Sequence, residues 1–263
     1  MKRFLAASVL AASAIASTGV QAALNASTSL NNVQWNVIDL TPNDGNVAGF
    51  DPVAAPHYRQ LRTEVFSTTP LYSQYDFQTT GDDTVELDSS VAYGAGWARG
   101  HAGPAFYNAT VEAHGDASLG VNGLATSNMS GGFDFVLRPH TRLEVSGRAL
   151  WADLHQGSDG TASVWAESYV QAGALAGDDP SPPIHFQLTR ITGPGWADTS
   201  GYQDFTLVYL NDTDEALETN FYVSINARVV NAVPEPAEVT MLLAGLAGIA
   251  LVGTTSRRRR QPH

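Results

Sequence analysis

From residue 84 to residue 229, apolar side chains return at every second position in one segment after another. Val85 and Leu87 alternate with Thr84, Glu86 and Asp88, and Phe133, Phe135 and Leu137 alternate with Asp134 and Arg138. Leu143, Val145, Gly147, Ala149 and Trp151 alternate with Arg142, Glu144, Ser146 and Arg148. Val164, Ala166, Ser168 and Val170 follow, then Ile184, Phe186 and Leu188, and finally Phe221, Val223, Ile225, Ala227 and Val229. A period of two is the signature of a strand with one wet face. Phe205 to Leu210 is apolar on both faces, which predicts a central strand. Turn chemistry separates these runs at Gly131-Gly132, Arg138-Pro139-His140, Gly157-Ser158-Asp159-Gly160, Gly177 to Pro183 and Asn211-Asp212-Thr213-Asp214. The prediction is an all-β body: a single antiparallel β-sandwich of jelly-roll type over residues 23–232.

The two ends have a different texture. Met1-Lys2-Arg3 precedes an Ala-rich apolar stretch from Phe4 to Val20, and small residues flank Gln21 at Val20 and Ala22. A charged start, an apolar middle and a small-residue exit make an export signal over 1–22, with cleavage expected after Ala22. At the other end an apolar run, Val239 to Val252, is extended by Gly253 to Ser256 to 18 residues and followed by Arg257, Arg258, Arg259 and Arg260. As a helix these 18 residues extend about 27 Å against roughly 30 Å of hydrocarbon, so the run can just span a bilayer. The arginines should be retained on the cytoplasmic side, leaving the body outside, in agreement with the export signal. Just before the run stands Val233-Pro234-Glu235-Pro236, whose prolines remove backbone donors and are expected to keep the segment out of sheet and helix.

A Val-Pro-Glu-Pro sequence, a short apolar helix and a terminal arginine cluster, in that order over 233–263, resemble the PEP-CTERM sorting signal of Gram-negative bacteria. The resemblance implies recognition by exosortase, a membrane-embedded enzyme, after passage through the general export machinery. It also implies a transient anchor in the inner membrane and a final place at the cell surface or in the extracellular polysaccharide matrix, as in a biofilm. Val33 to Gly45 and Phe135 to Gly147 are more loosely similar to parts of such proteins with β-sandwich bodies, and they imply no catalytic residues.

Charge narrows the partners. Between Ala23 and Pro236 eight arginines and no lysine face 25 carboxylates, which leaves −17. Such a body repels nucleic acid, and it suits divalent cations, neutral glycans or plain solubility. The absence of cysteine excludes disulfides, thiolate metal sites and cysteine nucleophiles.

Three kinds of chemistry remain to be placed. Calcium has oxygen donors at Asp39, Asn43, Asp44 and Asp51, and again at Asn211 to Glu215, although the same residues make turns by bonding their own backbone. For a glycan, Trp165 and Tyr169 share one face of a strand opposite Val164, Ala166 and Val170, and Trp97 with Tyr93 offers a second platform. Large aromatics usually go inside, so burial is expected for them and a lectin-like module is the alternative. For catalysis the histidines at 57, 101, 114, 140, 155 and 185 have no metal-ligand spacing, and Asp82-Asp83 and Asp178-Asp179 fall in turns. The expectation is a structural, non-catalytic protein.

Overall fold

The computed structural model describes residues 23–234 apart from short stretches at 54–57, 69, 83, 105–107, 117–118, 121, 157–161, 175–183 and 193–196. The export signal, the apolar run with its arginines, Glu235 and Pro236 lie outside the described residues, as do His57, Asp83 and Asp178-Asp179.

Thirteen strands are described, paired throughout in antiparallel fashion. They are β1 (Ala23–Asp39), β2 (Phe50–Pro52), β3 (Tyr58–Thr68), β4 (Leu71–Thr80), β5 (Leu87–Tyr93), β6 (Gly96–Ala102) and β7 (Ala109–Gly115). β8 (Gly123–Leu137), β9 (Thr141–Gln156), β10 (Ala162–Gly173), β11 (His185–Thr192), β12 (Thr199–Asn211) and β13 (Leu217–Pro234) complete the set. One sheet runs β12-β9-β1-β7-β6-β5 and the other β11-β10-β13-β8-β3-β4, with β2 added beside β8. The chain changes sheet at β1–β2, β4–β5, β7–β8, β8–β9, β9–β10, β11–β12 and β12–β13. The two apolar faces meet in a core to which β1 gives Leu24 and Leu30, β9 Leu143 and Val145, β8 Met129 and Phe135, and β13 Phe221, Val223 and Ile225.

Several inward positions are polar and join the sheets. Thr28 Oγ1 donates to the Asn226 carbonyl at 2.8 Å, Thr63 and Ser89 share a hydroxyl bond of 2.5 Å, and Ser168 Oγ donates to Asp153 Oδ1 at 2.6 Å. These bonds satisfy groups that would otherwise be stranded between the sheets. Gly100 leaves room for the facing sheet: a Cβ there would lie 2.5 Å from Leu61 Cδ1. Arg59 is 1% exposed, and its guanidinium donates to the carbonyls of Gly103 at 2.5 Å, Asp82 at 2.7 Å and Val85. One side chain thus ties β3 to the turns that precede β5 and follow β6.

Four expectations need correction. Gly131-Gly132, expected as a turn, lies inside β8 and is paired on both sides, with β13 and β3. Phe205 to Leu210 lies on β12, which pairs only with β9 and is an edge strand; Phe205, Leu207 and Tyr209 point inward, whereas Val208 and Leu210 are 37% and 50% exposed. Its two-sided apolar character reflects an exposed apolar outer face, not a central position. Val85 stands before β5 as part of a turn. β13 runs through Val233 and Pro234, the latter opposite Ala162, so the first half of the Val-Pro-Glu-Pro segment ends a strand. Proline is accepted there because the register beside it is already broken by a bulge between Ala162 and Val164, where no ladder donor is needed.

Tyr209 supplies a stability prediction. Its ring packs edge-on against Phe135 at 5.4 Å, and its hydroxyl is buried and meets no hydrogen-bond partner among the described residues. Burial pushes the phenol well above its ordinary range. Tyr209→Phe removes the stranded hydroxyl and keeps the ring, and is expected to raise stability by about 1 kcal/mol in urea titration. A loss of stability would show that the hydroxyl is satisfied.

Candidate functional site

The outer face of the seven-stranded sheet collects the most distinctive side chains. On β10, Ala166, Ser168 and Val170 are buried, which turns Glu167, Tyr169 and Gln171 outward. The expected inward placement of Tyr169 is therefore corrected. Trp165 stands opposite Val230 in the ladder, and its side chain lies outside the described residues. Strand register sets the neighbours. Tyr169 is paired with Asn226, Asn226 with Asn128, and Asn128 with Arg62, while the next row holds Gln171, Ser224, Ser130 and Gln60. One row further, Gly173 pairs with Tyr222, Tyr222 with Gly132, and Gly132 with Tyr58. Two tyrosines thus flank a glycine, with backbones about 10 Å apart at two strand spacings. Gly132 has no room for a side chain, since a Cβ would meet the Phe221 carbonyl at 2.6 Å, and the notch above it has a volume of about 90 Å³.

The polar groups of this face are aligned by short local bonds. Tyr169 donates its hydroxyl to Gln171 Oε1 at 2.5 Å, Gln60 Nε2 donates to Ser130 Oγ at 2.7 Å, and Asn128 Nδ2 donates to the Ile225 carbonyl at 3.2 Å. Burial, then the neighbouring Tyr222 phenol, pushes the Tyr58 and Tyr169 phenols up, so both remain neutral donors at physiological pH. Arg62 is held by Glu64 at 2.7 Å. The rows through Gln171 and Tyr222 carry no charge across β10, β13, β8 and β3.

The outer face of the six-stranded sheet is built differently. A groove of about 370 Å³ is lined by Asp88, Ser90, Arg99, His101, Thr110 and Glu112. Its charges are engaged with one another: His101 Nδ1 lies 2.8 Å from Asp88 Oδ1, and Arg99 pairs with Glu112. Trp97 is covered in part by His114, stacked at 5.5 Å, and by the Arg99 guanidinium at 4.6 Å. Tyr93 points to the opposite face of its sheet and stacks on Tyr72 at 4.4 Å, so register separates the proposed Trp97 and Tyr93 pair.

His114 carries a pH prediction. Its Nδ1 bonds Asn25 Oδ1 at 2.7 Å, and burial holds its pKa below the ordinary 6.5, against a smaller upward pull from Asp116. The unfolded chain therefore binds this proton more readily than the fold does. Stability is expected to fall as pH drops below about 6.5, and His114→Gln should flatten that limb of the profile in thermal melts at pH 5 to 7. An unchanged slope in the variant would assign the effect elsewhere.

The calcium candidates meet at one end of the sandwich, where loops 40–49, 138–140 and 212–216 adjoin. Asp39 Oδ1 accepts from the Thr41 amide at 2.8 Å, and Asp44 accepts from the Thr41 hydroxyl and the Asn46 amide at 2.7 and 2.8 Å. Asn43 lies in the turn between them. Asp51 is clamped by both arms of Arg138 at 2.7 and 2.8 Å, and His140 Nε2 lies 2.7 Å from Asp214 Oδ1. The carboxylates are used as turn caps and ion pairs, and among the described residues no three metal-ligating side chains converge. Asp44, Asp51, Asp82 and Asp204 are all held below the usual carboxylate range, by hydrogen bonds foremost. Of the acidic pairs, Asp82 caps the Thr84 amide at 2.8 Å.

The sequence singles out Tyr169 but not Tyr58, Tyr222, Asn128 and Gln60, which share its face of the sheet. Each occupies an outward position of its strand, but adjacency requires the register of four strands distant in the chain. Comparison with known protein families, with curated proteins and with solved structures gives no match.

Proposed function

We propose that this chain is an exported, non-catalytic structural protein of the cell surface or extracellular polysaccharide matrix, sorted by its C-terminal tail. The observation that carries the reading is the order of Val233, Pro234, Glu235 and Pro236, the apolar run 239–256 and Arg257 to Arg260. Exosortase and the general export machinery are the partners this order implies, with the tail as a temporary anchor in the inner membrane. The fold supports the division of the chain. Cleavage after Ala22 leaves β1 whole as described, including the fully buried Leu24. The described strands all lie before Glu235, so removal of everything beyond Pro236 takes none of them away. The repeated passage of the chain between sheets supports the jelly-roll-like description. A carbohydrate-binding role is the second reading, favoured by the outward position of Tyr169.

A stop codon after Pro236, in a Gram-negative host with an exosortase, tests the sorting. The body is expected to leave the surface fraction and accumulate in the periplasm or medium. Unchanged surface attachment would refute the reading.

A further inference from the structure

We propose that the outer face of the seven-stranded sheet, from Tyr169 on β10 through Tyr222 on β13 to Tyr58 on β3, binds an extended chain of neutral sugars. The inference deepens the matrix reading, on which it rests for its setting, and names the partner of this face.

The argument is one of matching chemistry. A sugar ring offers hydroxyls that both donate and accept, and apolar C–H patches that settle on aromatic rings. The face offers side-chain amides at Gln171, Asn226, Asn128 and Gln60 and the hydroxyls of three tyrosines, one of them, Tyr58, 41% exposed, while Ser224 and Ser130 lie buried beneath them. Amides and hydroxyls present donors and acceptors together, as a polyhydroxyl ligand requires. The notch over Gly132 gives the two flanking tyrosines a cleft between them, and its 90 Å³ accommodates part of a ring, so binding must be spread along the row. That row crosses three strand spacings, about 14 Å, which favours a chain over a single sugar.

Charge selects the class of chain. The rows through Gln171 and Tyr222 are uncharged, the notch itself is lined by the acidic Asp134, and a body of −17 repels acidic polymers. The larger groove on the other sheet is the weaker candidate, because a ligand there must displace the Arg99–Glu112 and His101–Asp88 contacts.

The test uses the purified full-length protein on an array of neutral oligosaccharides, and electrophoresis through gels containing galactomannan, dextran or alginate. Binding to at least one neutral glycan longer than a disaccharide is expected, with alginate inert. Tyr58→Ala and Tyr169→Ala should each weaken it about tenfold or more. Tyr202→Ala, on the outer face of the other sheet, should leave it unchanged. Tyr58→Phe and Gln60→Ala, read beside far-ultraviolet dichroism, give the same answer if an alanine variant fails to fold, with weaker binding by a folded protein expected. No binding across the array and gels, equal retardation by alginate, or binding indifferent to all of these substitutions would each overturn the proposal. Because binding is measured on purified protein, its failure leaves the sorting result untouched, and the reverse also holds.

Discussion

Arg59→Met is expected to destabilise the fold by about 3–5 kcal/mol, seen as a lower urea midpoint with an unchanged slope. Methionine keeps most of the buried volume but leaves the carbonyls of Gly103, Asp82 and Val85 without their donor. Each abandoned acceptor carries a desolvation cost that the unfolded chain does not bear. Arg59→Lys should recover little, because one compact ammonium cannot reproduce a planar fork that reaches two separate turns at once. A shift below about 1 kcal/mol for the methionine variant would mean that water replaces the guanidinium and that the two turns are held by other contacts.

Asn211→Asp is the second large effect, with an expected loss of about 2–4 kcal/mol at neutral pH. Asn211 is 2% exposed, and its amide donates to the carbonyls of Leu137, Arg138 and Glu215 at 3.0, 3.0 and 2.8 Å, while its oxygen accepts from Thr213. It is the pin of the loop end that gathers Asp51, Arg138, His140 and Asp214. A carboxylate in its place turns an acceptor toward three acceptors. The introduced acid would favour its protonated form in the fold, so its folded pKa lies above its unfolded value. The variant should therefore regain stability relative to the parent as pH falls toward 4 and lose it as pH rises. A variant equal to the parent at pH 7 would contradict this role.

Both residues show why only part of the architecture is legible beforehand. β9 and β13 read cleanly, since Leu143, Val145 and Ala149, and Phe221, Val223 and Ile225, fill their inward positions with apolar groups. β1 and β3 do not. Thr28 on β1, and Arg59, Thr63 and Ser67 on β3, are buried polar residues that break the alternation, and Thr28, Arg59 and Thr63 are tolerated because hydrogen bonds to the facing sheet or its turns satisfy them. In β1 the phase itself changes: Leu24, Ala26 and Leu30 face inward, then Val33, which lies within a bulge between Asn31 and Gln34 with Asn32 at φ 56°. A period-two pattern interrupted by one residue no longer reads as one strand.

The candidate site was legible as a residue and not as a surface. Tyr169 stands out in the sequence, but both faces of its strand carry residues fit for a core, and the small set Ala166, Ser168 and Val170 is the one packed inside. Burial of the smaller side chains follows from how close β10 lies to the facing sheet, where Ser168 bonds both Asp153 and the Ser27 carbonyl. No local pattern carries that distance. The proposed tail signal, in contrast, rests only on local order along the chain and lies outside the described residues.

The intact mass of the protein recovered from the cell surface tests the central claim most directly. The account predicts a product that begins at Ala23 and ends near Pro236, without Arg257 to Arg260. Recovery of surface material that still carries the arginine cluster would contradict it.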